Sequence, residues 1–447
     1  MTTGTHYGLN PSPHHGLSGE ALSSVLPEII KKPEISAAND APNTCPNASF
    51  PVNRLPDELF VEVFLYVQTG DRFWPRLLVV CRRWRAVALM SARLWCRLDV
   101  GVRTPHARIT ASLENSGNLP LDVTLYRKVH VPAALKALTP HRARTRTLHL
   151  VEARRTESPD ILAFLRASMP ALQTLQVAFR PYIDESYRFN QWSEEDEPDE
   201  EAAFCFSPMP DQFPSLEELS LRAVELRAVS VSFPRITTLR LTDCIYTDVS
   251  LQTFLSMLSG LGELASLFIR RYRPIIGNSP RYNLPPTLQT LSLEDDIRWT
   301  HAYMAHLILP PNLNKLSVTK HAVPDVPEEG LLSVQPIYTC LPLELDRTVR
   351  AILRDVESVR LDLVDSYNWL SVVGTAGTRT VSLAAVAMTR CIMEPNPVHD
   401  LIVLFNEGSV TDLQIFGVGD RDEHQTTEDD WGLMLWHLWS LKRLALT

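Results

Sequence analysis

One spacing recurs through most of the chain: an apolar residue, two variable ones, then apolar, variable, apolar. It reads TRTLHL (145–150), LQTLQV (172–177), LEELSL (216–221), ITTLRL (236–241), LASLFI (264–269), LQTLSL (288–293), LNKLSV (313–318), VESVRL (356–361), TRTVSL (378–383), VTDLQI (410–415) and LKRLAL (441–446). Alternation over the last three positions predicts a short strand with its apolar pair on one face. Behind several strands the apolar residues switch to helical spacing, as at Ile161, Leu162 and Leu165, at Leu251, Phe254, Leu255 and Leu258, at Val349, Ile352 and Leu353, at Leu401, Ile402 and Phe405, and at Leu433, Leu435 and Leu438. The segments LPPTLQTLSL and LPPNLNKLSV predict only Pro-Pro turns. A further strand is expected at 119–125, after a helix-like stretch at 106–115. The expected fold class is α/β, with parallel strands inside and helices or turns outside.

Residues 53–98 carry a different pattern, three short helices in under fifty residues. Leu55-Pro56 opens the first, because proline has no amide to lose in the first turn, and Asp57 and Glu58 suit the positive end of the helix dipole. Leu59, Phe60, Val63, Phe64 and Val67 make an apolar face wider than the inside of so small a unit can use, so part of it is expected to face a partner. In the second helix Leu77, Cys81, Trp84 and Ala88 line one face with Val80 and Val87 beside it, while Arg82, Arg83 and Arg85 are expected to point away. Leu94-Trp95 closes the unit.

The order LP-x-EL, VCRRWR, then LW resembles an F-box. The resemblance implies docking onto the Skp-type adaptor of a Skp-cullin-F-box ubiquitin ligase, and through it onto a cullin. Matched to the family pattern, Leu55, Pro56, Leu59, Val63 and Phe64 would contact the adaptor from the first helix, and Val80, Cys81, Trp84 and Trp95 would be partly contact and partly packing. The eleven strand patterns start 20 to 44 residues apart, mostly within or near the period of leucine-rich repeats, roughly 20 to 29. The whole resembles the F-box proteins with irregular leucine-rich repeats numerous in fungi, which implies a curved solenoid that captures a target protein. Cys244 stands where the repeat consensus has its buried small polar residue. The expected domains are a disordered arm at 1–50, an F-box at 51–100 and a repeat solenoid at 101–447 with an acidic insert around 182–214.

Composition fits this division. Residues 1–50 are rich in Pro, Ser, Asn, Thr and Gly and too poor in apolar residues to offset chain entropy. The net charge of −9 sits mostly in EEDEPDEE (194–201), seven acids without a base, leaving −2 elsewhere. So balanced a chain has no overall reason to seek nucleic acid or an anionic membrane. The 7 cysteines are scattered with no C-x-x-C pair, which reads as reduced thiols, and a soluble chain of the cytoplasm or nucleus is expected.

Motifs for catalysis do not occur: there is no phosphate loop, no H-E-x-x-H and no G-x-S-x-G. Neither a cofactor nor a metal is expected, and His301 and His306 lack cysteine companions. The acidic groups at 294–296 and 428–430 read as a solvated strand end and a helix N-terminus. On the variable strand positions, Arg222, Arg240 and Arg270 fall in three successive repeats and make a candidate anion-binding patch for the target. The expected function is therefore a non-catalytic substrate receptor; the alternative is a binding scaffold with no ubiquitin role.

Overall fold

The computed structural model describes residues 51–70, 74–102, 104–126, 130–180, 205–206, 209–226, 233–244, 249–277, 280–322, 336–341, 347–364, 369–387, 397–417 and 427–446. The expected arm at 1–50 and the acidic run at 194–201 lie outside the described residues. Two compact units divide the chain, Met1–His141 and Arg142–Thr447.

The first described elements of the first unit are a 3-10 turn (Pro51–Arg54) and α1 (Asp57–Gly70), whose first turn carries Asp57 and Glu58. The Pro56 carbonyl accepts from the amides of Leu59 and Phe60, so the helix does start on the Leu-Pro pair. A second 3-10 turn (Trp74–Val79) leads to α2 (Arg82–Met90), and a third 3-10 turn (Ala92–Trp95) closes the unit. Cys81 caps α2, its Sγ accepting from the Trp84 amide at 3.5 Å. Phe60, Phe64, Leu78, Val87, Ala88, Leu94 and Trp95 form the core. Past it, β1 (Arg97–Val100), α3 (His106–Asn115), β2 (Leu121–Leu125) and α4 (Val131–Leu138) follow. β1 and β2 pair in parallel, Arg97 with Asp122 through Val100 with Leu125, which needs the α3 crossover. β1 and α4 were not foreseen from the pattern.

In the second unit seven strands pair in chain order, all parallel: β3 (Thr145–Ala153), β4 (Thr174–Phe179), β5 (Glu218–Arg222), β6 (Thr238–Thr242), β7 (Ser266–Arg270), β8 (Thr290–Asp296) and β9 (Lys315–Ala322). The register places Leu148, Leu175, Leu219, Leu239, Leu267, Leu291 and Leu316 side by side, none more than 4% exposed. The recurring leucines thus stack into one continuous apolar face. The second leucine row is equally closed, ending in Val318 at 0%. Glu152, Ala223, Asp243 and Arg271 all have φ near +50° and stand at the same position, two residues past the second apolar residue of the strand pattern, Glu152 within β3 and the others just after their strands. Three of them hand an amide to the next strand: Ala223 to Thr242 O, Asp243 to Arg270 O and Arg271 to Glu294 O. This shared left-handed step, at about 1–2 kcal/mol for a non-glycine residue, marks the repeat in the backbone itself.

Helices α5 (Ser158–Leu165), α6 (Leu251–Ser259), α7 (Ile297–His306), α8 (Arg347–Arg354), α9 (Pro397–Phe405) and α10 (Glu428–His437) occupy the intervals. α7 corrects the expectation of bare Pro-Pro turns before LNKLSV. It starts because the Asp296 carboxylate accepts from the amides of Arg298 and Trp299. Asp295 and Asp296 are only 2% exposed, so this strand end is buried rather than solvated. The second acidic group is a helix start, with Thr427 and Asp430 capping each other on α10. The last part of the expected insert is packed, the Met169 amide bonding to Gln212 O at 2.8 Å and Phe213 being buried.

The strand order departs from the expected succession after β9. β10 (Ser358–Val364), β11 (Trp369–Ala376) and β12 (Arg379–Ala387) form an antiparallel meander. β12 rather than β10 pairs with β9, and β10 pairs with β13 (Asp412–Phe416). Because the meander has an odd number of strands, both outer ones keep the parallel direction. Its second turn is the two-residue loop after Ala376, where Gly377 takes φ +57°. β14 (Arg443–Leu446) ends the sheet, and its Leu444 and Leu446 are 43% and 58% exposed. The second unit is thus a large, mostly parallel sheet with helices in its connections.

Candidate functional site

Helix α1 is apolar on two sides. Phe60 and Phe64 turn inward, where their rings meet the half-buried Trp84 ring at 5.5 and 5.3 Å between centroids. Gln68 continues that side, its Nε2 donating to Leu94 O at 3.0 Å. On the other side Pro56, Leu59, Val63 and Tyr66 follow one another at i, i+3, i+7 and i+10, a single stripe. Leu59, Val63 and Tyr66 are 50%, 46% and 81% exposed. These three side chains make an exposed apolar stripe on a helix whose inner face is full.

The remaining expected contacts divide between surface and core. Val80 is exposed, whereas Leu55 is half-buried against the core and Cys81 is the α2 cap. Phe64 and Trp95, expected as contacts in whole or part, have 0% and 2% of their surface exposed and pack in the core of the unit. The Trp95 indole donates to Ala88 O at 2.8 Å, which fixes the closing turn on α2. Arg83 does not point away: its Nη2 donates to Leu55 O and Asp57, and the guanidinium lies over the Phe60 ring. Tyr66 was missed by the sequence reading, although it lies seven residues past Leu59 on the same stripe.

The three arginines of the second unit share one sheet face but not one row. Arg222 and Arg270 both align with Thr242, on either side of β6, while Arg240 aligns with Phe268. Two of them meet carboxylates of the chain, Arg222 with Asp243 at 3.3 Å and Arg270 with Glu294 at 3.1 Å. Glu294 is held below the usual carboxylate range by its hydrogen bond to His321 and by Arg270, against the opposing effect of burial. Arg240 instead lies on the Phe268 ring, 4.1 Å from its centroid, and has no ion pair among the described residues. The patch is therefore one open cation between two paired ones, with the Asp243 carboxylate shared between Arg222 and Arg271. Beside it, burial pushes Asp295 up to about 6 despite Arg273 at 3.0 Å. Cys244 is fully buried, its Sγ donating to Leu221 O and Thr242 O.

Among the described residues no group of His, Cys, Asp and Glu is arranged to hold a metal, and no helix is long and apolar enough to cross a membrane. Residues 52–100 match the F-box-like family model. No curated protein and no solved structure matches the chain.

Proposed function

We propose that the F-box-like domain at residues 52–100 docks this chain onto a Skp-type adaptor, and that the second unit presents a target protein to a cullin-based ubiquitin ligase. The observation that carries the reading is the outward stripe of Pro56, Leu59, Val63 and Tyr66 on a helix whose inner side is already closed by Phe60 and Phe64. F-box domains generally bind Skp-type adaptors, and an apolar stripe on one helix is the kind of surface a groove takes up. We read the repeated strands as a leucine-rich-repeat solenoid, supported by the shared register of the leucines and the shared left-handed step after the strand pattern. In this reading the chain does no chemistry of its own and raises the effective concentration of target lysines near the charged conjugating enzyme. Cys81, Cys96 and Cys244 form no disulfide among the described residues, which supports action in the cytoplasm or nucleus. Co-purification of the full chain with a purified Skp-type adaptor tests the reading. Failure of the full chain to bind the adaptor would favour a scaffold with no ubiquitin role.

A further inference from the structure

The outward face of the sheet from β6 to β10 has a floor of small side chains between two arginine-aromatic stacks. Along one register row stand Arg240, Phe268, Ser292, Ser317, Ser382, Val373 and Arg360, each from a neighbouring strand. Arg240 covers Phe268 at 4.1 Å, and on the far side Arg360 covers Phe416 at 4.2 Å. With strands about 4.8 Å apart, the floor between Phe268 and Arg360 is about 24 Å wide. The rows on either side are mostly Thr, Ser and Ala. Ser292, Ser317 and Ser382 are half-exposed although their strands are fully paired, and their hydroxyls bond to nothing among the described residues. They offer a line of donors on an open surface.

The charges on this face do not balance. Arg270 is matched by Glu294 and Arg360 by Asp362, the latter at 2.8 Å. Arg240 and Lys315 are exposed and have no carboxylate among the described residues. Stacking holds the Arg240 guanidinium in place without using its donors. Lys315 lies three strands away and one row earlier, on β9. That separation is about 16 Å, the reach of about five residues of extended chain. Two isolated cations are too few for the continuous phosphates of a nucleic acid, which calls for a longer basic track.

We infer that this face binds an acidic peptide segment, with two anionic side chains about five residues apart meeting Arg240 and Lys315 and the backbone between them lying on the serine row. The inference rests on the target-capture reading and names the class of target. The shared chemistry is an anion on a peptide, supplied by a carboxylate or by a phosphorylated side chain.

The test is fluorescence anisotropy on the full chain with a labelled nine-residue Gly-Ser peptide bearing glutamates at positions two and seven, its glutamine twin and its phosphoserine twin. The glutamate peptide is expected to bind at least tenfold more tightly than the glutamine twin, with the difference shrinking as salt is raised. Arg240→Gln with Lys315→Gln should bring the glutamate peptide to the level of its twin, while Arg350→Gln on α8 leaves it unchanged. Both arginine and lysine side chains are exposed, so an unchanged melting temperature shows the double variant folded. Tighter binding of the phosphoserine twin that is also lost in the double variant supports a phosphorylated source, and weaker binding a carboxylate one. Failure of every peptide to bind at low salt, equal binding of the glutamine twin, or full binding by the double variant overturns the proposal. Adaptor co-purification run on the same samples separates the two readings, since the double variant should keep the adaptor, and a parent chain that binds acidic peptide but no adaptor would sink only the ligase role.

Discussion

Arg83 reaches back to the carbonyl of Leu55 at 2.6 Å, so the second helix holds the residue on which the first helix starts. The same side chain bonds Asp57 at 2.8 Å and lies over Phe60, 4.8 Å from the ring centroid. Arg83→Ala removes all three contacts and leaves the Leu55 carbonyl to water. The expected cost is about 1–2 kcal/mol, confined to the first unit. Hydrogen exchange of the amides at 57–70 should quicken while those of β3 to β9 do not change. Equal protection in parent and variant would show that the tie carries no weight.

Leu59→Asp with Val63→Asp is expected to abolish adaptor binding without unfolding the domain, because both side chains stand in water before and after the change. Trp84→Ala is expected to act the other way, loosening the Phe60–Phe64 packing by about 3 kcal/mol and losing the adaptor only through the fold. A pull-down paired with thermal unfolding distinguishes them. Retention of the adaptor by the double aspartate variant would place the contact elsewhere.

Asp295 should make stability fall as pH rises. Its folded value near 6 lies above the usual 3.8, since burial disfavours the charge. Between those values the folded chain holds a proton that the unfolded chain has released, and the penalty of ionising in place is full only above pH 6. A shift of about 2 units corresponds to about 3 kcal/mol at most. Asp295→Asn should therefore stabilise the second unit at pH 8 and do so much less at pH 4, in denaturant titrations at the two pH values. A constant difference across that window would contradict the assignment.

Gly417 and Gly377 both have positive φ, +81° and +57°, yet they should respond differently to alanine. A Cβ at Gly417 would lie 1.9 Å from Leu363 O, whereas one at Gly377 meets nothing within 4 Å. Gly377→Ala is expected to cost about 1 kcal/mol, the ordinary penalty of a left-handed residue. Gly417→Ala should cost at least about 3 kcal/mol, because β10 and β13 must part to admit it. Melting temperatures that fall equally would refute the close approach.

The strands were readable because a period of two against a buried face leaves little freedom: every L-x-L of the pattern lies on a strand, and all but the last, with Leu444 and Leu446 exposed, keep the apolar pair inside. The order around β11 was not. LSVVGTA alternates without the preceding apolar position that marks the parallel strands, and its reversal depends on the turn at Gly377, whose GT pair is a weak signal beside Asn-Gly. On α1, Leu59, Phe60, Val61, Val63, Phe64 and Leu65 are all apolar, so periodicity could not say which stripe packs; contact with Trp84 decides it. The paired arginines were hidden for a related reason. Asp243 and Glu294 come from the ends of the next strands, and only the register brings them to Arg222 and Arg270.

The meander also sets a timetable. A ribosome completes β9 and then must deliver β10 and β11 before β12, which supplies the partner that pairs Lys315 with Thr380. Through that interval the growing chain carries a bare strand edge, the feature most prone to join a neighbour. Nascent chains on which β9 has emerged and β12 has not are therefore the ones that would call on a chaperone, and those long enough for β12 to have left the ribosome would have closed the edge themselves.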